Sequence, residues 1–238
     1  MIYCDNIFMA HKGKLIVIDG SDGSGKATQT QCVVRALKKA GRRVRTCDFP
    51  QYEKNFFGAF IGECITGEHG DFVALDPHIT SVIYAADRFE SSKKIQRWLE
   101  KGYTVVLDRY VSANQIHQGG KIADPRARKK FLQWLDTMEF GVFRLPRPDM
   151  VIYLDVSVQL SQILLQNTDK KKSYIPKGKK DLVEADRTYL ENARKSALWL
   201  ARNNDNWERI QCVKNGRLRS IEDIQRDILH ILKKRRIF

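Results

Sequence analysis

The sequence predicts an α/β protein, with five parallel strands in one sheet and helices on both of its faces. Short β-branched apolar runs alternate with amphipathic stretches along all 238 residues, and parallel strands require such crossover connections. No Pro/Gly/Ser linker or internal repeat divides the chain, so residues 1–238 are expected to form one domain.

The elements follow in order. Lys14 to Asp19 is an apolar run closed by Gly20, the pattern of a buried strand. Thr28 to Ala40 carries Val33, Val34 and Leu37 at helical spacing and stops at Gly41. Val44 to Phe49 is the second strand, ended by Pro50. Asn55 to Ile65 reads as a helix, and a longer one runs from Asp76 and Pro77 to about Glu100. Tyr103 to Leu107 is the third strand, ending on Asp108. A helix starts at Asp124-Pro125, and Met150 to Leu154 is the fourth strand. Val156 to Leu165 and Leu182 to Arg202 are helical, separated by a polar gap. Trp207 to Val213 is a weaker fifth strand, and Ser220 caps a closing helix to Leu232. In parallel sheets ligands bind beyond the carboxyl ends of the strands, where this chain places Gly20, Pro50 and Asp108.

Composition narrows the function classes. Apolar residues make up 42% and charged residues 29%, which excludes collagen-like and disordered chains. No apolar run reaches the roughly 20 residues of a membrane span, and no export signal is expected at the start. Five cysteines without metal-ligand spacing point to free thiols and a cytoplasmic location. The net charge of +14 favours polyanionic partners, either nucleic acid or nucleotide phosphates. Half of the basic residues lie in four scattered clusters, none interleaved with aromatic rings, so nucleic acid is not the expected partner.

Gly20-Ser21-Asp22-Gly23-Ser24-Gly25-Lys26 matches the G-x-x-x-x-G-K core of a phosphate-binding loop. Glycines let successive backbone N–H groups wrap an anion, the following helix offers its positive end, and Lys26 reaches the outer phosphates. Strand before and helix after are the required context. Where the motif ends in Ser or Thr, which ligates magnesium, this chain has Ala27, followed by Thr28.

With this loop, Phe49-Pro50, Tyr84 to Arg88 and Asp108-Arg109-Tyr110, the chain resembles the thymidylate kinases from Lys14 to about Ile231. The resemblance implies a three-layer P-loop NTPase fold and ATP-dependent phosphorylation of dTMP to dTDP. It implies ATP on Gly20 to Thr28, magnesium organised by Asp108 through bound water, and a homodimer. For dTMP it implies that Asp22 binds the 3'-hydroxyl, that Phe49 lines the site and that Tyr84 stacks on thymine. Arg88 would hydrogen-bond the base, and Asn114 and Gln118 would line its pocket. Arg109 would hold the acceptor phosphate, and His117 would crowd the ribose 2' position. Catalysis would rest on Lys26, Arg109 and Asp108. Tyr52 and Ala113 stand where relatives often carry arginine and serine. Because the loop has Gly23 rather than a basic residue, the resemblance implies a lid over ATP at about residues 166–182. That lid would carry Lys170, Lys171, Lys172, Lys177, Lys179 and Lys180.

Simpler roles compete with these. Arg88 sits beside Asp87 and Glu90 as candidate ion-pair partners, and Arg109 beside Asp108. Two other functions also compete. One is a P-loop kinase for a different nucleoside monophosphate. The other is a nucleotide- or nucleic-acid-binding relative without catalysis, which Ala27 and the basic charge would suit.

Overall fold

The computed structural model describes residues 13–166, 175 and 186–238. Five parallel strands, β1 (Lys14–Gly20), β2 (Val44–Asp48), β3 (Thr104–Asp108), β4 (Met150–Asp155) and β5 (Trp207–Gln211), pair in the order β2-β3-β1-β4-β5. The sheet is the predicted one. Strand alternation explains its two cores. Leu15 and Val17 of β1 join Val105 and Leu107 of β3 on one face, and Ile16 and Ile18 join Val106 on the other.

The first face is covered by α3 (Pro77–Glu100), α4 (Val111–Gly120), α5 (Pro125–Asp136) and α7 (Arg187–Asn203), through Ile95, Leu99, Ile116, Phe131, Leu135 and Ala197. The second is covered by α1 (Lys26–Lys39) and α8 (Ile221–Lys234), through Val33, Leu37, Ile224, Ile228 and Leu232. The helices α2 (Phe56–Ile65) and α6 (Val158–Gln166) complete the set. Side-chain caps start four of these helices, α7 among them, where Asp186 accepts from Tyr189 N at 2.9 Å. Asp76 accepts from His78 N at 2.8 Å, Asp124 from Ala127 N at 2.6 Å, and Ser220 from Asp223 N at 3.1 Å.

Several boundaries differ from the sequence reading. β2 ends at Asp48: the Phe49 N–H makes the last ladder bond, to Asp108 O at 3.0 Å, and the next residue, Pro50, joined by a cis bond, has no N–H to continue it. β5 ends at Gln211, and a two-strand hairpin follows, β6 (Val213–Lys214) and β7 (Arg217–Leu218), turning on Asn215-Gly216. Helix α4 and a π-helical turn at Thr137–Val142 are additions. The expected lid lysines and the expected helix start at Leu182 lie outside the described residues. No helix among the described residues is long and apolar enough to cross a membrane.

Helices α4 and α7 pack closely because α4 ends in two glycines. A Cβ on Gly120 would meet Ala193 N of α7 at 2.9 Å, too short for any side chain. That approach carries α4, with its inward polar residues, against the carboxyl end of the sheet.

Candidate active site

The carboxyl ends of β1, β2 and β3 open onto a cavity of about 640 Å³, within the range of small-molecule sites. Asp22, Gly23, Gly25, Lys26, Ala27 and Thr28 form one end, and Tyr84, Arg88, Asn114 and Gln118 the other. Phe49, Asp108 and Arg109 lie between them. Predicted residues from α1, α3, β3 and α4 and from the loops after β1, β2 and β3 thus converge on one space.

The phosphate loop is built as its sequence demands. Gly25 takes φ 88° and leads into α1, whose first residue is Lys26. Gly23 takes φ 81°, and a Cβ there would lie 2.4 Å from the Ser161 carbonyl oxygen of α6. A basic side chain at this position is therefore excluded by the α6 backbone. Lys26 Nζ donates to Ser21 O and to Asp22 Oδ1, both at 2.9 Å. Ser21 Oγ and Ser24 Oγ are buried without a partner among the described residues.

Asp22 joins the two halves of the site. Its Oδ1 also accepts from Arg109 Nη2 at 2.6 Å, so one carboxylate oxygen is shared by an ammonium and a guanidinium. Arg109 has φ 64°, a conformation that costs a non-glycine residue free energy and is found where surroundings enforce it. Its N–H donates to Ile18 O at 3.0 Å, which fixes that backbone. Its ion pairs run to Asp22 and, at 3.8 Å, to Asp19, and not to the adjacent Asp108.

Asp19 is a site residue the sequence reading passed over. Completely buried, it accepts from Gly20 N at 2.8 Å and from Ser112 Oγ at 2.6 Å, tying the loop to the start of α4. An acid inside an otherwise apolar strand was the available signal. Asp108, half-buried, has its pKa pushed up to about 6 by desolvation, against the opposing pull of Lys26 and Arg109.

His117 accepts from Arg109 Nη1 through Nε2 at 2.9 Å and stacks on Tyr189, with centroids 5.7 Å apart and planes 15° apart. Desolvation and then Arg109 push its pKa down to about 3, so the ring is neutral near neutral pH. Tyr189, which also lines the cavity, was not singled out in the sequence.

At the far end, Tyr84 lines the cavity and packs on Phe72 at 5.8 Å. Arg88 pairs with neither of its sequence neighbours. Asp87 instead accepts from Gln51 N at 3.1 Å and Asn55 Nδ2 at 2.8 Å, and Glu90 accepts from the amides of Phe56 and Phe57. The partner of Arg88 is Glu139, 51 residues away. Nε and Nη2 donate to the two carboxylate oxygens at 2.7 and 2.6 Å, and both residues are buried. Asn114 Nδ2 adds 2.9 Å to Glu139 Oε1 and 3.0 Å to Ser81 O.

A strand–phosphate loop–helix unit carrying Lys26, opposite a second polar pocket with Arg109 between them, is the arrangement a nucleoside monophosphate kinase, a phosphotransferase, requires. Similarity to known proteins narrows the class. The thymidylate kinase family profile matches residues 18–228. The Mycobacterium tuberculosis thymidylate kinase is 36% identical over 148 residues, 62% of this chain and 68% of that protein. The human thymidylate kinase is 30% identical over 150 residues, 63% and 64% of the two chains. Among solved structures, the thymidylate kinase of Candida albicans superposes with a TM-score of 0.71, covering 94% of this chain and 93% of the other. Its 19% identity makes that a likeness of fold. The chain belongs to the thymidylate kinase family.

Proposed function

We propose that this chain transfers the γ-phosphoryl group of ATP to dTMP, giving dTDP and ADP. The observation that carries the reading is the junction at Asp22, where Lys26 of the phosphate loop and Arg109 of the opposite wall meet on one oxygen. Two cations so placed lie between a donor phosphate on the loop and an acceptor phosphate beside Arg109. An oxygen of the dTMP phosphate attacks Pγ, and the bond from Pγ to the ADP oxygen breaks, its electron pair leaving with ADP. The acceptor is already an anion, so no side chain has to remove a proton. Lys26 and Arg109 orient the reactants and offset the charge on the transferring oxygens.

Magnesium suits the donor set, because Asp19, Asp22 and Asp108 present only hard oxygen atoms at the strand ends. Among the described residues no group of three His, Cys, Asp or Glu side chains is arranged to hold a metal ion, so water and substrate phosphates would have to complete its shell. Asp108 would hold it through water; Ala27 has no hydroxyl to offer, and the loop hydroxyls of Ser21 and Ser24 have no partner among the described residues. When bound, magnesium would neutralise charge shared between the β- and γ-phosphates.

A coupled assay of ADP formation with ATP and magnesium tests the reading. The expected result is that dTMP stimulates turnover above dUMP, dCMP and dGMP and that a chelator abolishes it. If no monophosphate stimulated turnover while oligonucleotides bound with a steep salt dependence, the binding-protein reading would replace this one.

The same reading places a second copy of the chain against α3. Ile79, Val82 and Phe89 form one exposed apolar stripe on that helix, and Phe89 packs on Phe143 at 5.3 Å. The Glu90 bonds to α2 bring exposed Phe56 and Phe57 beside it. Sedimentation is expected to show a dimer that Phe89→Glu converts to monomer; a monomeric parent would remove the dimer. Free Cys32, Cys47, Cys64 and Cys212 support a reducing, cytoplasmic location.

A further inference from the structure

Glu139 is a carboxylate with no solvent exposure, placed by a π-helical turn, an irregularity that often marks functional positions. Burying such a group is costly unless every oxygen is bonded. Here Oε2 accepts from Arg88 Nε, and Oε1 accepts from both Arg88 Nη2 and Asn114 Nδ2. The second proton of the Asn114 amide goes to the Ser81 carbonyl oxygen.

These contacts fix which way the amide faces. A carboxylate and a carbonyl only accept, so both must be met by the NH₂ group of Asn114, and the flipped amide is excluded. Asn114 Oδ1 is therefore turned away from Glu139 and Ser81, and no described group donates to it. Arg88, with Nε and Nη2 committed, retains Nη1. Both residues line the cavity beside Tyr84.

We propose that Glu139 is a positioning residue that sets base specificity, locking Asn114 as an acceptor next to Arg88 as a donor. That edge complements a pyrimidine with an N3–H donor beside an O4 acceptor, as in thymine and uracil. Cytosine presents the reverse, an N3 acceptor beside an amino donor, and opposes acceptor to acceptor and donor to donor. A pocket built on such bonds discriminates far more strongly than shape alone. The proposal rests on the dTMP reading of this site and names the group that enforces it.

The test is kcat/KM for dTMP, dUMP and dCMP in the parent and in Glu139→Gln. A glutamine can donate to Asn114, which removes one of the two acceptors that fix the amide and leaves only the Ser81 carbonyl opposing a turned-over form that presents NH₂ to the base. The expected result is that dTMP and dUMP fall together by about 30-fold or more while dCMP changes by less than about 3-fold, so the dTMP:dCMP ratio collapses at least about tenfold. An equal fall for all three, or no change, overturns the proposal and leaves Glu139 a purely structural group. If the variant does not fold, the parent with N3-methyl-dTMP decides. This analogue lacks the N3–H and should be used at least about 100-fold less well than dTMP, and equal use overturns the proposal. A parent that prefers dCMP to dTMP defeats both readings. A parent that prefers dTMP, with the preference intact in Glu139→Gln, defeats this one alone.

Discussion

Replacing Lys26 with alanine is expected to lower dTMP-dependent kcat by about 10²- to 10³-fold, the usual effect of losing one preorganised group that stabilises transition-state charge. Lys26 is buried at the start of α1, with its ammonium held by Ser21 O and Asp22 Oδ1. That side chain loses little freedom when a phosphate arrives, which is why its contribution belongs to the chemical step. Its removal leaves Asp22 still paired with Arg109, so the carboxylate is not stranded and the fold should survive. Dichroism should match the parent, while the coupled assay separates kcat from KM for each substrate. Lys26→Arg is expected to fail nearly as badly, since a planar fork does not replace a compact point charge. A kcat within tenfold of the parent in Lys26→Ala would contradict the role given to the phosphate loop.

The second large effect is on stability. Arg88→Met should destabilise the protein by about 3–5 kcal/mol, because it leaves the Glu139 carboxylate buried without its principal partner. For a chain of this length that corresponds to a fall in melting temperature on the order of 10 °C. The double variant Arg88→Met, Glu139→Leu removes both charges and should recover most of the loss, since apolar replacement of a whole buried pair is often neutral. Thermal denaturation of the two variants side by side checks this. If the double variant melts no higher than the single one, lost packing rather than an uncompensated charge is the cause.

The contrast between these two residues shows how far the sequence can be read. Lys26 was legible because its partners lie within five residues and the whole unit is local. The inner strands β1, β3 and β4 were legible because burial on both faces demands uninterrupted apolar runs. The edge strands β2 and β5 gave a weaker signal because they are only partly buried. The caps at Asp76, Asp124 and Ser220 were legible because each acts within three residues. Glu139 was not, because nothing near it in sequence reveals a partner 51 residues away. Helix α4 escaped for a related reason. Its buried positions include Ser112, Asn114 and Gln118, so the side facing the site is polar and shows no apolar period. The Asn215-Gly216 turn was a readable signal that the polar strands beside it obscured.

The closure of Gly23 against Ser161 bears on how this enzyme can change. The carbonyl oxygen it abuts belongs to a helix backbone, which cannot rotate aside as a side chain would. Exchanging Gly23 for arginine is thus not a one-step route to a loop that carries its own extra cation, because α6 would have to be reseated first. Two designs for delivering charge to the same chemistry are separated here by a rearrangement of packing. A lineage that has settled this helix onto its phosphate loop cannot gain a cation at that position by a single exchange.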